Sequence, residues 1–292
     1  AGGGTLSAAL EINTYDGPWS DIEEDMEKVN LLLRYSGRVA GGDASLTFMG
    51  YDNQWNSADQ IPERTVTAGL IDEFGSIDPG VGGDSSRYSL NARWRRDAWV
   101  LSAYAINYEL NLWSNFTYFL DDMRDGDQFE QVDERWLYGG RGEYLSNSTL
   151  GTRDIENRFG IDLRYDAIDE VGLHKTLQRK RLGAVRSDTV DQWSAGVYWQ
   201  NRIQWHSRWR TVLGARYDYF DFDVDPLVQT NINGVDLRAN GGSASDDLWS
   251  VKGSVIFTLG DQWEAYASAG QGLHSNDARG TTISVDPGDG SQ

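Results

Sequence analysis

The chain has 292 residues, no cysteine and a net charge of −19, about the length of one large all-β or α/β domain or two small ones. Without cysteine there is no disulfide framework, thiolate metal site or cysteine nucleophile. An acidic chain with scattered Lys and Arg also lacks the basic face that neutralises nucleic-acid phosphates.

No run approaches the roughly 18 apolar residues of a membrane-spanning helix. The opening AGGGTLSAALEI has neither an initiator Met nor the basic start and apolar run of a signal peptide, so a mature piece or an internal fragment is expected. The 33 Gly beside 12 Trp and 14 Tyr, in a chain 39% hydrophobic, suit an antiparallel sheet with aromatic positions and polar loops.

Period two begins at once, with Leu6, Ala8, Leu10 and Ile12 on one face and Thr5, Ser7, Glu11 and Asn13 on the other, the alternation of a half-buried strand. A long connection (15–26) leads to Val29, Leu31, Leu33 and Tyr35 against Asn30, Arg34 and Ser36, and a short one (39–43) follows. The segment 44–55 alternates less cleanly, and a long connection (56–85) precedes Tyr88, Leu90, Ala92 and Trp94 set against Arg87, Ser89, Asn91 and Arg93. After a short turn at 95–97 the stretch 98–119 is ambiguous; a long connection (120–130), the irregular segment 131–147 and a short connection (146–154) come next.

Phe159, Ile161, Leu163 and Tyr165 then oppose Arg158, Asp162 and Arg164, a long connection (167–188) follows, and Trp193, Ala195, Val197 and Trp199 oppose Gln192, Ser194 and Gln200. Past a short connection (201–207), Leu213, Ala215 and Tyr217 oppose Gly214, Arg216 and Asp218. A long connection (225–247), the set Val251, Val255, Phe257 and Leu259, a short turn (260–262) and the segment 263–270 complete the series, with 271 onward read as a last long segment.

The total is about eleven strands of roughly ten residues or more, long for a soluble sheet. Connections that alternate short and long predict a transmembrane antiparallel β-barrel with short periplasmic turns and long extracellular loops. Trp94 and Trp99, then Trp199, Trp205 and Trp209, and then Trp263 cluster at the short turns, as an aromatic girdle at one membrane interface requires. The face carrying Arg34, Arg87, Arg93, Arg158, Asp162, Arg164, Arg216 and Asp218 must line a lumen, because an Arg at the lipid midplane costs about 2 to 4 kcal/mol. An odd strand number and an intolerable open edge in lipid lead to the expectation of a larger barrel.

The stretches SNFTYFLDD (114–122), GDQFEQVDER (126–135), LRYDAIDEVGLHKT (163–176) and GQGLHSNDARGTT (270–282), with DGPW (16–19) and IDPGVGGDSSRYSL (77–90), together resemble the TonB-dependent outer-membrane receptors over essentially the whole chain. Where siderophore and vitamin receptors usually read like Gly-Phe-Arg-Ala-Pro, this chain has Leu273, His274 and Asn276 and no Pro, so ligand identity is not carried over. The resemblance implies a Gram-negative outer-membrane barrel of about 22 strands with an N-terminal plug in its lumen. Residues 1–292 would then be a partial barrel domain, about 11 of those strands, with the plug outside this chain. The implied partners are outer-membrane lipid and lipopolysaccharide, the TonB energy-coupling complex through the plug, and an extracellular small molecule; nucleic acid is excluded.

Chemistry candidates are few. Of the three His, His174 falls in a long connection, His206 in a short one and His274 near the end, so they lie on opposite sides of the expected membrane and make a poor zinc set. Ser275 beside His274 points to the opposite face in an extended chain and cannot form a nucleophile–base pair with it. Asp121, Asp122, Asp125 and Asp127 offer hard oxygen ligands for Ca²⁺, but Met123 occupies a ligand position and no Glu falls at the twelfth place, so the loop is no EF-hand. HKTLQRKR (174–181) is the densest basic patch, a solvated hairpin arm or a contact for lipopolysaccharide phosphates or an anionic ligand. GGRGEY (139–144) sits inside a strand pattern and opens no helix, so it is no phosphate loop.

Neither a cofactor nor an enzymatic role is expected. The leading expectation is the receptor barrel of an energy-coupled transporter for a scarce nutrient such as a siderophore, vitamin or saccharide; the alternatives are a passive porin-like channel and a barrel enzyme. Recognition is expected at Asn115, Tyr118, Asp127 and Gln128 from one loop base and at His274, Asn276, Asp277 and Arg279 from another, because loops and lumen-facing side chains set specificity. The competing reading of these residues is structural, loops tied to the wall by charge-assisted hydrogen bonds.

Overall fold

The computed structural model describes residues 3–272 and 277–292. Its strands are β1 (Thr5–Tyr15), β2 (Met26–Val39), β3 (Gly42–Asn56), β4 (Gly82–Arg96), β5 (Trp99–Ser114), β6 (Phe129–Leu150), β7 (Arg153–Leu177), β8 (Lys180–His206), β9 (Trp209–Pro226), β10 (Gly242–Gly260) and β11 (Trp263–Gly270). They form one antiparallel sheet in which every strand pairs with its sequence neighbours and the order runs from β1 to β11. A one-turn helix α1 (Glu63–Thr67) sits in the β3–β4 loop and another, α2 (Arg279–Thr282), follows β11.

Register explains why the period-two sets form a single surface. Leu6 faces Tyr35, Tyr35 faces Leu46, Leu46 faces Ala92 and Ala92 faces Ala103; further along, Gly140 faces Leu163, Leu163 faces Ala195 and Ala195 faces Tyr219. A slip of one residue anywhere in this chain would turn apolar side chains to the other face. The apolar surface is left uncovered: Leu6, Leu10 and Ile12 are 74%, 65% and 68% exposed, which water would penalise and lipid favours.

The expected girdle lies on this surface near the short turns. Trp94 pairs with Leu101, Trp199 with Phe159 and Trp209 with Phe257; Trp99 packs on Tyr144 with ring centroids 4.8 Å apart and Trp205 stacks on Trp209 at 5.7 Å. A second belt, not foreseen from the sequence, runs across the strands nearer the long loops. Trp136 stacks on Tyr138 at 5.8 Å, Tyr138 on Tyr165 at 6.4 Å and Tyr165 on Trp193 at 4.3 Å.

The connections follow the expected alternation, with shifted boundaries. The ambiguous 98–119 is mostly β5, and the irregular segments 44–55, 131–147 and 263–270 are strands. The short connections at 146–154 and 201–207 shrink to tight turns at 151–152 and 207–208.

The largest correction concerns 167–188. No loop exists there: β7 and β8 run on to Leu177 and Lys180, joined by Gln178 and Arg179 at φ 50° and 63°, both left-handed as the two-residue hairpin turn matching strand twist requires. Register shifts at Ile168/Val171, Leu173/His174 and Lys175/Thr176 break the alternation that would have marked these strands.

The buried cluster lies on the opposite, polar face. Ile168, Val190, Phe222 and Val224 are covered there by Ala278, so the segment after β11 leaves the sheet and folds back over the upper inner wall. Gly270 stops opposite Lys252, partway along β10.

Candidate functional site

Two loops at the same end of the sheet, between β3 and β4 (57–81) and between β5 and β6 (115–128), are locked together at their bases. The Asn115 backbone N–H donates to Asp59 (2.6 Å) and its side-chain amide to Asp78 (2.8 Å), while its carbonyl oxygen accepts from the Tyr118 N–H (2.8 Å). The Tyr118 hydroxyl donates to the Gln60 carbonyl (2.7 Å), and the Gln128 amide donates to Asp78 (2.9 Å) while its oxygen accepts from Thr176 Oγ1 (2.9 Å) and the Arg179 N–H (2.8 Å). Asn115, Tyr118 and Gln128 are all buried. Burial, then the carboxylates of Asp59 and Asp78, push the Tyr118 hydroxyl up to about 12, and burial raises Asp59 against the pull of its Asn115 hydrogen bond. These side chains therefore brace loop to wall.

The basic arm contributes to the same brace. Arg179 Nε donates to the Gly80 carbonyl (2.8 Å), its terminal nitrogen to Asn56 Oδ1 (2.9 Å), and the guanidinium lies 4.9 Å from the Trp113 ring centre. Arg181 forks onto Glu130, and His174, buried in the β7 strand, shares a 2.8 Å hydrogen bond with Glu170. His206 lies at the far end of β8, away from His174; His274 falls outside the described residues, as does Asn276.

In the acidic loop, Asp127 accepts from the N–H of Leu120 (2.8 Å), Asp121 (3.1 Å) and Asp122 (2.7 Å), and Asp122 accepts from Arg124 and Asp125 (3.0 Å each). Burial opposes ionisation of Asp127, but these hydrogen bonds win and hold its carboxyl below the usual carboxylate range. The carboxylates thus cap a turn. Among the described residues no group of three or more His, Asp or Glu is placed to hold a metal ion.

Asp277 and Arg279 pin the returning segment. Arg279 pairs with Asp277 (2.6 Å), reaches the Val171 carbonyl (3.3 Å) and lies 3.9 Å from the buried Asp188. Two asparagines of the β9–β10 loop complete the clasp: Asn240 accepts from the N–H of Ser284 and Val285 and donates to the Val285 carbonyl, and Asn231 donates to the Pro287 and Val185 carbonyls.

Below these loops the inner wall carries a lattice of charge that spacing in the sequence only hinted at. Asp162 bridges Arg141 and Arg216, Arg216 also pairs with Asp218, and the Tyr198 ring lies 5.9 and 5.6 Å from the two guanidiniums with its hydroxyl on Glu143. Gly160 makes room for that ring, since a Cβ there would stand 2.1 Å from Tyr198 Cζ.

This architecture has solved counterparts. The ferric citrate transporter FecA superposes with a TM-score of 0.67 at 14% identity, covering 91% of this chain and 39% of that one. The ferric-catecholate import receptor Fiu from E. coli K12 gives 0.67 at 10%, over 92% and 50%, and the siderophore receptor PiuA from Acinetobacter baumannii gives 0.63 at 10%, over 91% and 46%. At these identities the likeness carries the fold alone, and this chain spans half or less of each of those proteins. No curated protein sequence matches it. The family profile described as TonB dependent receptor-like, beta-barrel, matches residues 19–290, and with an apolar outer face, a charged inner face and one meandering sheet behind that match, the chain belongs to the TonB-dependent receptor β-barrel family.

Proposed function

We propose that this chain is part of the wall of an outer-membrane receptor that captures a scarce nutrient outside the cell and passes it inward by energy coupling through TonB. Barrels of this family reside in the Gram-negative outer membrane and transport rather than catalyse. The observation that carries the reading is the contrast between the two faces, an uncovered apolar surface with aromatic belts and an inner wall of paired charges under rigidly braced loops. The plug belongs outside residues 1–292 in this reading, and lipopolysaccharide surrounds the outer face.

In this reading Asn115, Tyr118, Asp127 and Gln128 act on recognition as positioning residues, since their polar atoms hold the loops. Asp277 and Arg279 do the same for the segment after β11. His274 and Asn276 stay proposed contacts at the same rim.

The test is accumulation of candidate nutrients, supplied at growth-limiting concentration, in cells with the intact receptor gene, without it, and without TonB. Both deletions should abolish uptake of the same compound. Uptake that needs the receptor but persists without TonB would instead establish the passive channel.

A further inference from the structure

Along the inner wall several guanidinium groups are answered on their own strand: Arg164 by Asp166 at 2.7 Å, Arg186 by Asp188 at 2.6 Å and Arg216 by Asp218 at 2.6 Å. One cleft of about 340 Å³ gathers more cations than carboxylates. Arg158 lines it at ion-pair distance from Glu143 (4.0 Å) and Glu156 (3.9 Å) but beyond hydrogen-bond reach of either, so neither carboxylate occupies its donors. Lys252 lines it from the other side and forms no ion pair within 4.0 Å among the described residues.

The rest of the cleft adds to this imbalance. Glu143, its one lining carboxylate, already accepts the Tyr198 hydroxyl. Arg141 and Arg216 contribute two more positive charges over the Tyr198 ring, their own hydrogen bonds going to Asp162 and Asp218. Gly214 lets the Lys252 stem cross the neighbouring strand, because a Cβ there would meet Lys252 Cε at 2.8 Å. Gln200 supplies a neutral amide donor at the rim. Four cations, Arg141, Arg158, Arg216 and Lys252, line a cleft with a single carboxylate in a chain of net charge −19, an excess that suits an anion with several acceptor oxygens.

We propose that the cleft between Arg158 and Lys252 is an anion site on the inner wall, taking a carboxylate or phosphate group of the ligand on its way inward. The word ligand rests on the uptake reading; the site itself rests on the charges. Its place on the wall below the braced loops makes it a second station, separate from any contact at the extracellular rim.

The experiment uses the purified full-length receptor in detergent, titrated with inorganic phosphate (³¹P line broadening) and with malonate (calorimetry). The two probes distinguish a phosphate-selective site from a carboxylate-selective one, and saturable binding of either supports the proposal. Lys252→Gln and Arg158→Gln should each weaken binding roughly tenfold or more, as loss of a charge-assisted hydrogen bond does. Lys252→Arg should retain it, and Arg38→Gln at a short turn should change nothing. Absence of saturable binding, equal affinity in the Gln variants, or binding that emerges only after the plug is deleted would each overturn the site. The assay contains no TonB, so TonB-independent uptake would defeat the uptake reading without touching this one, and lack of anion binding would do the reverse.

Discussion

Asp127 shows how one side chain can set the shape of a loop. Three backbone N–H groups converge on its carboxylate, and their preference for the ionised form, overcoming burial, lowers its pKa. A carboxyl whose folded pKa is lowered stabilises the loop above its unfolded pKa, about 3.9, and loses that contribution as pH falls through the folded value. The amides of Leu120, Asp121 and Asp122 should therefore keep their hydrogen-exchange protection factors from neutral pH down to the ordinary carboxylate range and lose them only in stronger acid. Asp59 titrates the opposite way, since burial raises it, so its protonation on acidification precedes that step. Asp127→Asn should leave the three amides poorly protected at neutral pH, and equal protection in the variant and the parent would show that the carboxylate does not hold the turn.

At the scale of the strand, glycine and tyrosine work as a pair across β7 and β8. Tyr198 lies flat over Gly160 and is flanked by Arg141 and Arg216, so a methyl group at 160 has to displace the ring and with it the hydroxyl bond to Glu143. Gly160→Ala should cost about 1 to 3 kcal/mol, the usual penalty of overpacking, in urea unfolding of the full-length receptor in liposomes. Gly140→Ala is the control, because a Cβ there comes no closer than 3.6 Å to the Ser102 carbonyl oxygen and points to the apolar side. Equal losses in both would mean that strand propensity, not the ring, sets the cost.

The same pair of strands shows where sequence reading stops. The apolar faces of Leu163, Ala195 and Ala215 are legible in the sequence because apolar and polar residues alternate there without interruption, and the structure sets Leu163 against Ala195. The upper reaches of β7 and β8 are not legible, because each bulge shifts the alternation by a residue, and a long connection was read in their place. Arg179 and Arg181 looked like a solvated basic arm for a related reason: Gly80, Asn56 and Glu130, the groups they bond to, lie far away in the sequence. Asn115 could be assigned to a loop base from spacing, but its bonds to Asp59 and Asp78, which decide between touching a ligand and holding a loop, follow only from the fold.

For the molecule as a whole, the decisive property is that one sheet serves two solvents. On β8, Ser194 pairs with Arg164 and Phe220 on the inner face, while Ala195 and Val197 belong to the apolar face, where Val197 is 49% exposed. The chain contains no cysteine, so a single introduced thiol reports its own surroundings. In the full-length receptor in native outer membrane, Ser194→Cys should react with a small water-soluble, membrane-impermeant maleimide. Ala195→Cys and Val197→Cys should resist it and react only with a lipid-soluble reagent, because successive strand residues face opposite sides and lipid excludes the charged probe. A Val197→Cys thiol labelled as fast as Ser194→Cys would place water on both faces and remove the membrane assignment on which the transport reading stands. If the alternation holds along β8 and stops above Trp193, where the second aromatic belt lies, the labelling boundary also fixes how far the lipid reaches up the wall, and leaves the β7–β8 extension in the extracellular medium with the loops it braces.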